Sequence, residues 1–352
     1  MHAKNNIWQF HEAQRLAHQV IETDKEVRCW QRQVPLDSVA IYIPGGSAPL
    51  FSTVLMLGVP ANAAGVREIN LFTPSNKEGS IHPAIAYAAK LVGIKNIYRI
   101  GGAQAIAAAA LGTEQIPKSF KIFGPGNQYV TAAKMHAQQL GVAIDMPAGP
   151  SEVLVWADTL ANPAYIAADL LSQAEHGADS QCVLLCDDED WVNLVEKELE
   201  KQLEKLPRKE IAKQALENSF AVVINEDYDE GNSRIAQCQF SNTYAPEHLI
   251  VNCSDYDELV PGIRNAGSVF LGPSSPESVG DYASGTNHTL PTAGHAKAYS
   301  GVSLSSFCKN ITFQELSPLG LNNLAETVIT MAEHEGLQAH ANAVKIRLNN
   351  GN

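Results

Sequence analysis

A regular alternation of short apolar runs and alanine-rich, helix-periodic stretches constrains the fold of this chain more than any other feature. In the first half, the strand-like runs are 39–43, 68–73, 96–100 and 121–123. The helix expected after each of them is, in the same order, 50–64, 81–92, 104–111 and 129–140. Such a series is typical of a parallel sheet with helices on both faces. It predicts a doubly wound α/β domain.

A second series of the same kind follows. Its strand-like runs are 151–156, 181–186, 221–224, 248–251 and 267–271, with helices expected at 165–175 and 192–205. The tail after residue 299 is mostly helical, with a helix expected at 321–333. Because this tail is too small for a core of its own, we expect it to pack elsewhere, with a partner subunit as one option.

Composition and charge narrow the class of protein. The 352 residues are 45% hydrophobic, which is enough for two cores, and the net charge of −13 argues against nucleic acid as a partner. We see no signal peptide and no apolar run of the roughly 18 residues that a membrane span needs. The six cysteines form no Cys-x-x-Cys pair, so we expect free thiols and a cytoplasmic protein.

Three glycine-containing turns follow strands of the first series. They are Pro44-Gly-Gly-Ser47, Gly101-Gly-Ala-Gln104 and Gly124-Pro-Gly-Asn127. Ligands of open α/β sheets lie at the carboxyl ends of the strands, and a helix N-terminus there favours an anion such as pyrophosphate. None of the turns completes G-x-G-x-x-G, and each alone is compatible with a plain strand-to-helix turn. Three in one half favour a nucleotide-like ligand.

Two segments suggest a metal site that a third would complete. Gln173 and His176 are three residues apart near the end of a predicted helix, and that spacing places both side chains on one face. With Asp281 and His340 they would supply two oxygen and two nitrogen ligands. A glutamine ligand is unusual, and a histidine near a helix C-terminus often serves the helix dipole or the core. Both interpretations stay open on the residues alone.

Two further segments carry polar groups suited to catalysis. Glu247 and His248 precede a predicted strand and could form an acid/base pair, but only at a bent turn, which Pro246 makes reasonable. The alternative is a surface glutamate beside a half-buried histidine. Asp281 and His288 bracket a loop rich in Gly, Ser and Asn, and such loops are often functional.

Several of these segments resemble one known family, histidinol dehydrogenase, over residues 34–347. The segments are Tyr-Ile-Pro-Gly-Gly-Ser-Ala-Pro-Leu, Phe-Gly-Pro-Gly-Asn, Asp-Met-Pro-Ala-Gly-Pro-Ser-Glu-Val, Leu-Leu-Ser-Gln-Ala-Glu-His-Gly, Ala-Pro-Glu-His-Leu, Gly-Asp-Tyr-Ala-Ser-Gly-Thr-Asn-His-Thr-Leu-Pro-Thr and Glu-Gly-Leu-Gln-Ala-His. The resemblance implies oxidation of L-histidinol to L-histidine through an aldehyde, with NAD and Zn²⁺ as cofactors.

The resemblance also implies residue roles. Glu247 and His248 fall on the family's acid/base pair, with Glu247 activating the water and His248 taking the alcohol proton. The zinc positions are Gln173, His176, Asp281 and His340, and the NAD contacts are Tyr42, Gln104 and Asn127. Substrate contacts fall on Ser151, His288 and Glu335, together with the four zinc positions and His248.

Pattern and resemblance together predict two Rossmann-like parallel-sheet domains, one inserted in the other, and a small helical C-terminal tail. We expect a zinc and substrate domain at 1–44 and 149–298, an NAD-binding domain at 45–148, and a tail at 299–352 that reaches the partner subunit of a homodimer with shared active sites. Family members usually carry further N-terminal helices, and this chain starts inside what resembles the last of them, at 7–22. The alternatives are a dehydrogenase of another small polar alcohol and a truncated, inactive family member.

Overall fold

The computed structural model describes residues 1–45, 49–147, 149–225 and 233–349. The chain divides into two compact units. The first comprises Met1–Gln14 and Leu36–Phe307, and the second comprises Arg15–Pro35 and Cys308–Asn352.

The elements alternate through most of the chain. The strands are β1 Val20–Asp24, β2 Val27–Pro35, β3 Ser38–Tyr42, β4 Glu68–Phe72, β5 Asn96–Tyr98, β6 Lys121–Phe123, β7 Ala143–Ile144, β8 Glu152–Ala157, β9 Gln181–Cys186, β10 Phe220–Val223, β11 His248–Asn252, β12 Ser268–Leu271 and β13 Cys308–Leu316. The helices are α1 His2–Glu12, α2 Phe51–Ala64, α3 Pro83–Val92, α4 Ala103–Leu111, α5 Gln128–Gln139, α6 Pro163–Ala174, α7 Glu189–Leu203, α8 Lys209–Glu217, α9 Ser233–Tyr244, α10 Tyr256–Leu259, α11 Glu277–Tyr282, α12 Pro318–His334 and α13 Gln338–Asn349.

The first sheet of the first unit is parallel and has the strand order β5-β4-β3-β6-β7. Its earliest strand, β3, lies in the middle with all five residues buried, because helices cover both faces. Later strands add to one side and then to the other, so the order reverses between β3 and β6. A reversal of this kind opens a crevice at the carboxyl ends of the two strands.

The second sheet repeats that topology with the order β10-β9-β8-β11-β12, and it too is parallel. Alternate residues of β8 face two separate cores, with Val153 and Val155 on one side and Leu154 and Trp156 on the other. The expectation of two Rossmann-like parallel sheets is confirmed.

We expect Leu154→Ala to destabilise this sheet strongly. Leu154 is completely buried in β8, so the truncation leaves a cavity and should cost about 2–5 kcal/mol of unfolding free energy. Urea denaturation followed by circular dichroism measures it. Leu160→Ala is the matched control, because its side chain is 79% exposed and its loss should change little. Equal losses in the two variants would contradict the assignment of this core.

The second unit contains a sheet of order β1-β2-β13, with antiparallel pairing, together with α12 and α13. One expectation was wrong here, because the helix expected at 7–22 ends at Glu12. The helix expected at 321–333 lies within α12, and the tail also contains strand β13, which was not expected. Strand β13 pairs with β2 along nine residues, and Trp30 stacks on Phe313 with ring centroids 5.4 Å apart. Because those partners are remote in sequence, a local pattern could not show them.

Strand pairing places Ser38–Tyr42 in the first sheet, beside β4 and β6. The predicted division into domains at 1–44 with 149–298, at 45–148 and at 299–352 stays a prediction.

Among the described residues, no helix combines the length and apolar character needed to cross a bilayer.

Candidate active site and dinucleotide-binding edge

The two residues predicted as an acid/base pair lie at the amino end of β11. The backbone bends just before them, because buried Ala245 adopts a positive φ of 56° and Pro246 follows. Glu247 and His248 are therefore both buried, and Glu247 Oε2 lies 3.7 Å from His248 Nδ1. The bent turn expected from Pro246 is present, and the alternative of a surface glutamate is excluded.

The surroundings of this pair shift both pKa values. Burial raises the pKa of Glu247 to about 8, although the neighbouring His248 opposes the shift. Burial disfavours a charged His248, but the carboxylates of Glu277, Glu247 and Asp281 outweigh that effect and raise its pKa to about 10. The backbone N–H of Glu152 donates to Glu247 Oε2 at 3.1 Å and fixes that carboxylate.

Two of the metal-ligand candidates, His176 and Asp281, lie together beside His248. Helix α6 ends at Ala174, so His176 lies in the turn after the helix rather than in its last turn, and its N–H donates to the Gln173 carbonyl at 3.1 Å. Asp281 Oδ1 lies 3.5 Å from His248 Nε2. His176 as a whole residue is exposed, but desolvation by the surrounding protein still lowers the pKa of its ring.

Several buried polar atoms of the predicted site residues have no hydrogen-bond partner among the described residues. Gln173 is completely buried with both amide atoms unpaired, and Asp281 Oδ1 and both ring nitrogens of His248 are unpaired as well. Buried polar atoms nearly always have partners in folded proteins. Oxygen and nitrogen donors left unpaired together suit a divalent cation and a polar substrate.

The sequence-based reasoning missed Glu277. This carboxylate is buried, its Oε1 lies 3.9 Å from His248 Nδ1, and its oxygen falls with ligand atoms of His176 and Asp281 in a cluster within 4.8 Å. Burial raises the pKa of Glu277 to about 7. Its signal in the sequence was the four-residue spacing to Asp281, which places both carboxylates on one face of α11.

A glycine lets α11 come close to the sheet. A Cβ added at Gly280 would lie 2.4 Å from the ring of Phe270 in β12, and His248 stacks against the same ring at 6.0 Å. The close packing at Gly280 thus helps to place Asp281 beside His248.

The loop between Asp281 and His288 is fastened at both ends. His288 Nδ1 lies 3.0 Å from the Asp281 carbonyl, and Thr53 Oγ1 lies 3.1 Å from Nε2. Because a carbonyl only accepts, Nδ1 carries the proton and Nε2 accepts from Thr53. Burial lowers the pKa of His288, which agrees with a neutral ring.

Ser151, a predicted substrate contact, is half-buried immediately before β8.

The predicted NAD contacts lie at the carboxyl edge of the first sheet. The Gly102 N–H donates to Tyr42 Oη at 3.0 Å. Gly124 has a φ of 117°, and a Cβ there would lie 2.0 Å from the Tyr42 carbonyl oxygen, so only glycine fits. Gln104 is exposed in the first turn of α4. Asn127 caps α5, since its Oδ1 accepts from two backbone N–H groups.

Four of the residues singled out in the sequence are not part of this arrangement. Gly46 and Ser47 of the first glycine turn lie outside the described residues. Glu335 at the end of α12 and His340 on α13 are exposed, and both belong to the second unit. The site described above is built from the first unit alone.

Comparison with known proteins agrees with the resemblance. The family model "Histidinol dehydrogenase" matches residues 1–348. A histidinol dehydrogenase of Bacteroides thetaiotaomicron is 57% identical over 347 residues, which are 99% of this chain and 79% of the relative. The crystal structure of histidinol dehydrogenase from Elizabethkingia anophelis aligns with a TM-score of 0.95 at 56% identity, over 99% of this chain and 79% of that one.

A more distant structure shows the fold alone. An acetylating aldehyde dehydrogenase from Geobacillus thermoglucosidasius aligns with a TM-score of 0.57 at 15% identity, over 90% of this chain and 82% of that one. The paired parallel sheets therefore occur outside the family as well.

Proposed function

The chain belongs to the histidinol dehydrogenase family and is an oxidoreductase, and from that premise we propose that it oxidises L-histidinol to L-histidine through L-histidinaldehyde with NAD⁺ as oxidant. The observation that carries the proposal is the buried Glu247–His248 pair, with His248 3.5 Å from Asp281, which clusters with His176 and Glu277. An acid/base pair beside a cation site suits oxidation of a polar alcohol.

Two cofactors fit the residues that are present. The unpaired amide of Gln173, the imidazole of His176 and the carboxylate of Asp281 suit Zn²⁺, and His340 would complete the set. The crevice at Tyr42, with Gln104 and Asn127 nearby on α4 and α5, suits a dinucleotide. When bound, NAD⁺ supplies the electron acceptor and zinc orients the imidazole and amino groups of the substrate.

The chain's own residues move the protons. His248 would accept the proton of the substrate alcohol, and Glu247 would take a proton from the water that attacks the aldehyde carbon. His248 lies near three carboxylates, which favour its protonated form. A divalent cation beside Asp281 would offset that negative charge and favour the neutral imidazole that a base requires.

Further residues are proposed to bind the substrate and to join two copies of the chain. We assign substrate contacts to Ser151, His288 and Glu335. We also propose a homodimer in which Glu335 and His340 of one copy complete the site of the other, which agrees with the exposure of both residues on α12 and α13. Six free cysteines suit a reducing compartment, so we place the enzyme in the cytoplasm.

NADH formation with L-histidinol tests the proposal. We expect two NADH for each histidinol, loss of activity after chelation, and recovery when Zn²⁺ is restored. Oligomeric state is measured on the same sample. Folded, zinc-loaded dimer without NADH formation would reject histidinol and direct the search to other small polar alcohols. A monomer that lacks activity would instead support the inactive alternative.

A further inference from the structure

A buried ion pair holds the Gly124 turn from both sides. Lys134 Nζ on α5 lies 2.5 Å from Asp145 Oδ1, just after β7, and the two side chains are only 5% and 1% exposed. Lys134 Nζ also donates to the Gly124 carbonyl at 2.8 Å, and the Gly124 N–H donates to Asp145 Oδ2 at 2.8 Å. One ion pair therefore binds both polar backbone groups of one glycine.

The Lys134–Asp145 ion pair lies at the carboxyl edge of the first sheet, where the strand order reverses. Gly124 directly follows β6 at the reversal of strand order, and its backbone lies against the Tyr42 carbonyl in a conformation that only glycine adopts readily. Asp145 Oδ1 also accepts the Met146 N–H at 2.8 Å. The pair thus connects α5, the turn after β6 and the residues after β7 at the rim of the crevice.

A gain in folding stability does not by itself explain why Lys134 and Asp145 form a buried ion pair. Two charges removed from water cost desolvation energy, and apolar residues of similar volume often serve a core equally well. Hydrogen bonds to the N–H and C=O of a turn, in contrast, define its position closely.

We propose that Lys134 and Asp145 are positioning residues for the dinucleotide, which hold the Gly124-Pro-Gly-Asn127 turn in its binding conformation before NAD⁺ arrives. The inference rests on the proposed function. A turn that is ordered in advance spares the ligand the free energy of ordering it on binding. Asn127 benefits as well, because it follows the turn and caps α5.

The test compares Asp145→Asn with the double variant Lys134→Met/Asp145→Leu in the zinc-loaded protein. Calorimetric titration with NAD⁺ alone gives Kd, and steady-state kinetics give KM for NAD⁺, KM for histidinol and kcat. We expect Kd and KM for NAD⁺ to rise about 10- to 100-fold, with KM for histidinol nearly unchanged. The double variant removes both charges together, so it leaves no unpaired buried charge to unfold the protein.

Asp158→Asn is the matched control, because Asp158 is also buried directly after a strand, β8. It accepts the Ser254 N–H at 2.7 Å and lies 3.7 Å from Arg234 of α9. We expect its Kd for NAD⁺ to match the wild type. Unchanged NAD⁺ affinity in both test variants would overturn the proposal, and so would a double variant too unstable to fold, since the pair would then serve stability. Wild-type protein that binds no NAD⁺ would reject the proposed function itself.

Discussion

His248→Ala is expected to lower kcat for histidinol oxidation by about 10²- to 10⁴-fold, the usual contribution of a general base. The ring is 4% exposed at the amino end of β11, and both of its nitrogens lack hydrogen-bond partners among the described residues. A cation beside Asp281 would favour the neutral ring, which could then take a proton from a bound alcohol. Alanine leaves the metal-ligand candidates in place. We therefore expect zinc content and NAD⁺ affinity to stay near the wild-type values.

Steady-state NADH formation measures this effect, with metal content determined on the same preparation. His18→Ala is the control, because His18 is exposed in the second unit and should leave kcat unchanged. Glu247→Gln should separate the two oxidations, since it removes the group assigned to activate water and should slow aldehyde oxidation more than alcohol oxidation. A His248→Ala variant with near-normal kcat would remove His248 from the mechanism.

Asp281→Ala is expected to lose zinc and, with it, activity. Asp281 is buried, its Oδ1 has no partner among the described residues, and its carboxylate lies 3.5 Å from His248. Loss of one direct ligand should weaken zinc binding by at least about 100-fold, the upper range seen for residues that only support a ligand. Competition with a chromogenic chelator gives the zinc Kd independently of turnover.

Two further variants sharpen that measurement. Asp179→Ala removes an exposed aspartate near His176 and should leave zinc affinity unchanged. Glu277→Ala removes the other carboxylate of the cluster, and comparison of the two losses shows which carboxylate binds the ion. Full zinc retention by Asp281→Ala would make the assignment of Asp281 wrong.

The local pattern was sufficient where neighbours in sequence form the structure. The strand at 181–186 was expected at the bounds of β9, and most other strands of both sheets were expected within one or two residues. Most of these strands are apolar runs between turn residues, so the signal lies within one element. In the second unit the pattern failed, because β13 is stabilised by pairing with β2 across the chain.

In the candidate active site, too, some residues could be predicted from the local sequence and others could not. Adjacent Glu247 and His248 could be chosen from the sequence, and Pro246 predicted the bend that the structure places at Ala245. Glu277 and the Lys134–Asp145 pair were not predicted. Their partners come from other elements, and a lone carboxylate or lysine on a helix is usually a solvated side chain.

By itself the sequence determined two parallel α/β sheets, the glycine turns at their edge, and membership of a family whose motifs it carries almost throughout. Only the tertiary structure decided which charges are buried and what they face. Hydrophobic periodicity and turn chemistry are local properties of the chain, whereas desolvation and charge pairing depend on atoms brought together from distant segments. The buried carboxylates around His248, and the Lys134–Asp145 pair hydrogen-bonded to the Gly124 backbone, could be identified only in the folded chain.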